Sequence, residues 1–457
     1  MMTESQRAAL AEYAAVKGQC PARERLAALF DDGVYTETGS NLRAGENLAG
    51  VVTAYGYIGG TPAYAFSQDS TVMKGAVSLA HSAKICKMFE LAARNGVPVV
   101  GIYDSCGAFV EDGADALNAY SDILLSMGSL SGVVPMVSVI SGVCAGTMAM
   151  IASSADFSVI TDGAELYLDA SGNNASAESA AKSGAVSAYA KSDAEAMDTV
   201  RRYLSLMPQN NLSPLPEFEF DAPVSAAFDN AENAAESIAD AGSILEVYGE
   251  YGTASYTALC TVSGVTAGIA ATNKTKDKLT SADCSKIARF VRLCDAYSIP
   301  VITVADTEGF DLHGADMVRA GAALAGAYAE ASCAKIALVS GKACGMAYIA
   351  FAGRNVAADA VYALPEAVIA PMDPVSAAEF LYHDRLKSAD DLTAARNEIA
   401  KEYAENEGSA FAAAAKGAAD EVVTAENVRA AVASVLDVTA GKRLNKRLPK
   451  KHNILPL

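Results

Sequence analysis

Two stretches of small residues, Gly142-Val-Cys-Ala-Gly-Thr-Met-Ala149 and Gly341-Lys-Ala-Cys-Gly-Met-Ala-Tyr348, follow apolar runs, Met136-Val-Ser-Val-Ile-Ser141 and Lys335-Ile-Ala-Leu-Val-Ser340. In each, a strand ends in Gly-x-x-x-Gly and a helix should begin. A helix N-terminus presents unpaired backbone N–H groups and a partial positive charge. Alanine, glycine and cysteine around it let a ligand approach the main chain. Such N–H pairs can hold a carbonyl oxygen as it gains charge, and one lost donor costs roughly 3–4 kcal/mol of barrier. Either turn alone reads more readily as close packing of helix on strand. Two turns in matching context point to a reaction with two carbonyl partners.

Other chemistry is poorly represented. The four histidines, His81, His313, His383 and His452, have no metal-ligand spacing, and there is no Gly-x-x-x-x-Gly-Lys-Ser/Thr phosphate loop. Asp104, Asp156, Asp306 and Asp359 could act as acids or bases, but aspartates at strand and helix ends are more often caps and turn formers. Chemistry driven by backbone donors needs few polar side chains, which is the composition found.

The chain has 457 residues, of which 51% are hydrophobic, so two or more cores are expected. Its net charge of −19 argues against nucleic acid as a partner. No apolar run is long enough to span a bilayer, and Met1-Met-Thr-Glu-Ser reads as the start of a polar helix. Nine scattered cysteines without a Cys-x-x-Cys pair suit buried free thiols in a reducing cytoplasm. The basic tail Gly441–His452 reads as a solvated arm, or as a segment packing on an acidic subunit or a phosphorylated ligand.

An internal repeat supplies the framework. Ser82–Gly107 overlies Cys284–Gly309 without a gap, matching Lys84 with Lys286, Leu91 with Leu293, Pro98 with Pro300, Asp104 with Asp306 and Gly107 with Gly309. Each copy predicts a hairpin, in the first around Gly59-Gly60, then an amphipathic helix, which in the first ends at Asn95-Gly96. A buried strand, Val97–Tyr103 in the first copy, follows, then a helix over about 114–131 and the strand feeding Gly142. The fold class is α/β, with helices backing strands. Residues 170–224 read as insertion and linker around a helix over 193–207, with domains 1–228 and 229–457.

On these residues the chain resembles the β-type carboxyltransferase subunits of biotin-dependent acyl-CoA carboxylases and decarboxylases, such as the propionyl-CoA carboxylase β chain. The matching pieces are Pro21–Asp31, Phe66–Gly75, His81–Lys87, Asp104–Ala108, Ala145-Gly146, Arg289–Ala296, Gly309-Phe310, Lys342–Tyr348 and Lys450–Leu457. The resemblance implies two tandem crotonase-type (ClpP/crotonase) ββα-superhelix domains, in a cytoplasmic hexamer with sites between halves of different subunits. It implies a coenzyme A thioester at the first half and biotin, on a separate biotin carboxyl carrier protein, at the second. Biotin carboxylase or membrane decarboxylase subunits would be further partners, and no metal is implied.

By the same resemblance, Gly146 and Thr147 N–H would hold the enolate oxygen, and Met346 and Ala347 N–H the ureido oxygen. Gly107, Ala108, Ala145, Gly309, Phe310, Cys344, Gly345, Tyr348 and Ile349 would line the substrates. Departures from the family's pattern are Thr147 and Met346 in place of glycine, Phe109 in place of arginine, and Glu308 in place of proline. Ile349, where an aspartate often stands, implies a small apolar acyl pocket. Alternatives are the same site run as a sodium-pump-coupled decarboxylase, a degenerate scaffold paralogue, and a crotonase-type hydratase or thioesterase.

Overall fold

The computed structural model describes residues 2–442 apart from 170, 172–174, 224, 276, 312, 313, 315 and 355. The basic tail beyond Lys442, with the family-like ending 450–457, lies outside the described residues, as does His313. Two compact units divide the chain, Met1–Pro214 and Leu215–Leu457. The division precedes the expected 228/229 because the segment after Pro214 belongs to the second unit. There Glu217 bridges Val265, Phe218 N–H donates to Gly264 O at 2.8 Å, and Phe228 enters the core.

In the first unit one sheet runs through Tyr35–Thr38, Val51–Ile58, Thr61–Gln68, Val99–Ser105, Met136–Ala145, Phe157–Thr161 and Ala188–Ala190. Glu165–Tyr167 pairs with the end of Met136–Ala145. The first three strands are antiparallel and the rest parallel. The second unit repeats this order with Leu245–Glu246, Tyr256–Val262, Val265–Ala271, Val301–Ala305, Lys335–Val339, Ala360–Ala363 and Glu421–Val422. A separate parallel pair, Lys342–Cys344 with Val368–Ala370, matches the pairing of 143–145 with 165–167. The predicted duplication is therefore present strand by strand.

The two copies also share their fastenings. Helices Leu79–Asn95 and Ser281–Ala296 are N-capped by Ser78 and by a Thr280–Asp283 capping box. The first ends at Gly96 with φ +62°, as its Asn-Gly sequence predicts. Each hairpin tip is clasped by an aspartate that sequence reading missed. Asp31 accepts from Gly59 and Gly60 N–H, both at 2.9 Å, and Asp240 accepts from Ser263 and Gly264 N–H at 2.9 and 2.8 Å. Arg201 and Arg429 pair with these carboxylates. Burial opposes the charge of Asp31, yet the Gly60 and Gly59 amides and Arg201 outweigh it and lower its pKa.

Residues 170–224 are less of an insertion than expected. Ala188–Ala190 joins the main sheet, and helix Asp193–Leu206 buries Met197, Val200 and Tyr203. The Tyr203 ring stacks on Phe157 with centroids 4.3 Å apart. A three-residue edge strand among small residues carries no readable periodicity, so its place in the sheet was invisible.

The repeat also buries an equivalent lysine in each copy, Lys84 and Lys286. Lys84 donates to Val51 O, and Lys286 to Ser255 O at 2.8 Å and Gly252 O at 3.3 Å. Burial pushes both pKa values down to about 8. The unfolded chain then binds more protons between pH 8 and about 10.5, so the folding penalty is complete below pH 8 and fades above it. Lys286→Met is expected to raise stability at pH 7 by about 1–3 kcal/mol, the orphaned carbonyls limiting the gain. Chemical denaturation at pH 7 and pH 10 checks this, and a gain that does not shrink at pH 10 contradicts it.

Candidate active site

The aspartates at the strand ends are structural. Asp104 Oδ2 accepts from Arg25 Nη1 at 2.9 Å and Ser70 Oγ at 2.8 Å, and Arg25 Nη2 also donates to Ser141 O at 3.0 Å. Asp306 Oδ1 accepts from Lys342 N–H at 2.8 Å. Each carboxylate fills the space beside the glycine that opens the next turn. A Cβ on Gly142 would stand 2.3 Å from Asp104 Oδ1, and one on Gly341 2.2 Å from Asp306 Oδ1. Asp156 and Asp359 likewise accept from Met136 and Lys335 N–H at 3.0 and 2.8 Å. These contacts fit the cap-and-turn alternative and assign none of the four a proton-transfer role.

These pins bring the sequence-predicted residues together within each unit. Ser105 pairs with Cys144, which sets Gly107 beside Ala145. Gly107 N–H donates to Ser105 Oγ at 3.2 Å, and its carbonyl accepts from Val77 N–H at 2.9 Å. Gly309 repeats both contacts with Thr307 Oγ1 at 3.1 Å and Leu279 N–H at 3.0 Å. Ala108 bridges Val77 as Phe310 bridges Leu279. Phe310 is buried against Phe351, with ring centroids 6.1 Å apart, so its ring serves packing. Tyr348 reaches away to Ala418 O at 2.6 Å. Cys344 is half-buried, whereas Ile349 is 55% exposed.

Helices Thr147–Ser153 and Met346–Phe351 begin at the expected turns. Gly146 has φ +65°, ψ −140° and Gly345 has φ +54°, ψ −122°, torsions that side-chain-bearing residues avoid. Thr147 and Met346 keep negative φ, so a side chain is accommodated at the first helical position of both turns. The Met346 side chain lies against Gly321, where a Cβ would meet its Cε at 3.4 Å.

One expected donor is corrected. Gly146 N–H donates to Tyr167 O at 2.9 Å, as Gly345 N–H does to Ala370 O at 2.9 Å, so neither is available to a ligand. The amides that precede any intrahelical acceptor are Thr147 and Met148 in the first copy and Met346 and Ala347 in the second. None of the four has a backbone acceptor among the described residues. The Gly146 pairing depends on the short strand Glu165–Tyr167, which has no signal in the sequence.

Around the first turn, His81 and Cys144 are neutral. His81 is buried, its Nε2 lies 3.2 Å from Gln68 Nε2, and burial lowers its pKa to about 3, leaving it neutral. Burial likewise holds the Cys144 thiol protonated, its pKa far above the ordinary value. Five of the nine cysteines are buried as expected, but Cys106 is exposed beside Gly107. No cluster of three or more potential metal ligands occurs among the described residues. No described helix is long and apolar enough to cross a membrane.

Comparison with known proteins identifies the family. The carboxyl transferase domain family matches residues 14–455. The chain is 33% identical to the methylmalonyl-CoA decarboxylase subunit alpha of Propionigenium modestum, over 96% of this chain and 94% of that protein. It is also 33% identical to the methylmalonyl-CoA carboxyltransferase 12S subunit of Propionibacterium freudenreichii subsp. shermanii, over 96% and 92%. The crystal structure of transcarboxylase 12S, with hydrolysed methylmalonyl-coenzyme A bound, superposes with a TM-score of 0.89 at 31% identity, covering 100% of both chains. With its two crotonase-type units, the chain belongs to the carboxyl transferase domain family, as a β-type carboxyltransferase subunit of the biotin-dependent acyl-CoA carboxylases and decarboxylases.

Proposed function

We propose that the chain transfers a carboxyl group between a biotin on a separate carrier protein and a short acyl-CoA of the propionyl/methylmalonyl type. The duplicated turn carries this reading: two pairs of unspent amides in equivalent positions, each behind a glycine with positive φ. Thr147 and Met148 N–H would hold the thioester oxygen of the acyl-CoA as the α-carbon gains charge. Met346 and Ala347 N–H would hold the ureido oxygen of biotin. When bound, biotin supplies a nitrogen that carries the carboxyl group. Donors fixed by the fold stabilise developing charge without reorganising. The residues present fit both groups. No described atom comes within 4 Å of a Cβ built on Gly146 or Gly309, leaving room beside the main chain.

Relatives of the transferase and the decarboxylase kind stand at equal identity. Decarboxylation is therefore the second reading, using the same turns with a membrane decarboxylase partner. The scaffold alternative loses its motive, since Thr147 and Met346 occupy positions where a side chain is tolerated. Assembly as a hexamer, working with a biotin carboxyl carrier protein, belongs to the same proposal. The deciding experiment follows labelled carboxyl from methylmalonyl-CoA to free biotin. Transfer supports the reading, and thioester hydrolysis without transfer refutes it.

Ile349, exposed on the second-turn helix, would line an apolar acyl pocket if the first turn of a partner subunit faces it, as the proposed hexamer requires. Propionyl-CoA is expected to exceed glutaryl-CoA in kcat/KM by at least about tenfold, since an unpaired carboxylate against apolar surface costs more than 1.4 kcal/mol. Equal efficiency would contradict the assignment.

A further inference from the structure

Although the two turns share a skeleton, charge is concentrated at the second. Val143 and Cys106 stand in the first copy where the second has Lys342 and Glu308. Lys342 Nζ pairs with Glu308 Oε2 at 2.7 Å and with the Asp373 carboxylate. Its main chain is engaged too, N–H donating to Asp306 Oδ1 at 2.8 Å and C=O accepting from Thr307 N–H at 2.8 Å. Asp373 accepts from Val375 N–H at 2.9 Å, capping helix Pro374–Leu381. Two residues earlier, the Pro371 carbonyl lies where a Cβ on Gly345 would meet it at 3.0 Å. One residue thus joins the loop that presents Gly309, the strand that enters Gly345 and the segment behind Gly345.

Burial opposes a charged Lys342, but the Asp373 and Glu308 carboxylates outweigh it and raise its pKa, so it is a cation at neutral pH. The first turn is braced differently, by Arg25 between Asp104 and Ser141 O.

We propose that Lys342 is a positioning residue for the second turn, which it straps through Glu308 and Asp373 into the shape that receives biotin. This rests on the reading that the second turn takes the ureido oxygen. Half-exposed ion pairs are individually weak, so the effect is a graded loss of affinity confined to one ligand.

The test titrates the full-length chain and its Lys342→Met, Lys342→Arg and Glu308→Gln variants with free biotin, and separately with propionyl-CoA, by ligand line broadening in NMR. Lys342→Met is expected to weaken biotin about five- to tenfold, and Glu308→Gln about two- to threefold. Lys342→Arg should recover most of the loss, and propionyl-CoA affinity should stay within about twofold throughout. Unchanged biotin affinity in Lys342→Met, or equal losses for both ligands, overturns the strap. A wild-type chain that binds propionyl-CoA but no biotin refutes the reading of the second turn, and the strap with it.

Discussion

Replacing Gly345 with alanine is expected to lower carboxyl transfer by about 10²–10³-fold, the loss found when one oxyanion donor is removed. The residue sits at φ +54°, ψ −122°, and a Cβ there would stand 3.0 Å from Pro371 O. Torsional strain of about 1–3 kcal/mol and this close approach both push the turn open. The amides that follow, Met346 and Ala347, move with it. Gly146→Ala carries the same torsional strain but meets no described atom within 4 Å, so its loss should be smaller. Single-turnover transfer rates, beside thermal unfolding of each variant, check the order. A Gly345→Ala chain that is folded and fully active would contradict it.

Arg25→Met is expected to destabilise the first unit by about 2–4 kcal/mol, somewhat below the cost of leaving one member of a fully buried ion pair alone. This pair is part-buried, and Arg25 also contacts the exposed Asp193. The side chains of Arg25 and Asp104 are 14% and 12% exposed, and the guanidinium also holds Ser141 O. Without it, the carboxylate keeps, among the described side chains, Ser70 Oγ at 2.8 Å. Adding Asp104→Asn should restore more than half of the loss, because the stranded charge disappears. Denaturant midpoints for the single and double variants measure this coupling. A double variant no more stable than Arg25→Met would show that packing, rather than charge, dominates.

Much of this architecture was legible because the chain states it twice. Pro98 over Pro300 and Gly107 over Gly309 set the register, and apolar runs closed by Asp104 and Asp306 marked the parallel strands. Glycines 146 and 345 marked the helix starts. What stayed hidden depends on partners distant in sequence. Asp31 clasps a hairpin tip 28 residues away, and Arg25 reaches Asp104 across 79 residues, with no local pattern to announce either. The acceptor of the Gly146 amide, Tyr167, lies on a three-residue strand with no sequence signal, so the resemblance alone places that amide at the ligand. In the repeat, the first-turn pair equivalent to Met346 and Ala347 is Thr147 and Met148. The early end of the first unit had the same cause, because Glu217 and Phe218 pair with a hairpin more than forty residues on.

The most direct test of the paired amide turns is infrared difference spectroscopy of propionyl-CoA labelled with ¹³C at the thioester carbonyl. Bound to the wild-type chain, the labelled band should move to lower frequency than in water, because two aligned N–H donors polarise the carbonyl, and Gly146→Ala should return part of that shift. A band that stays at its aqueous position in the bound complex would contradict the assignment of Thr147 and Met148 as the donors.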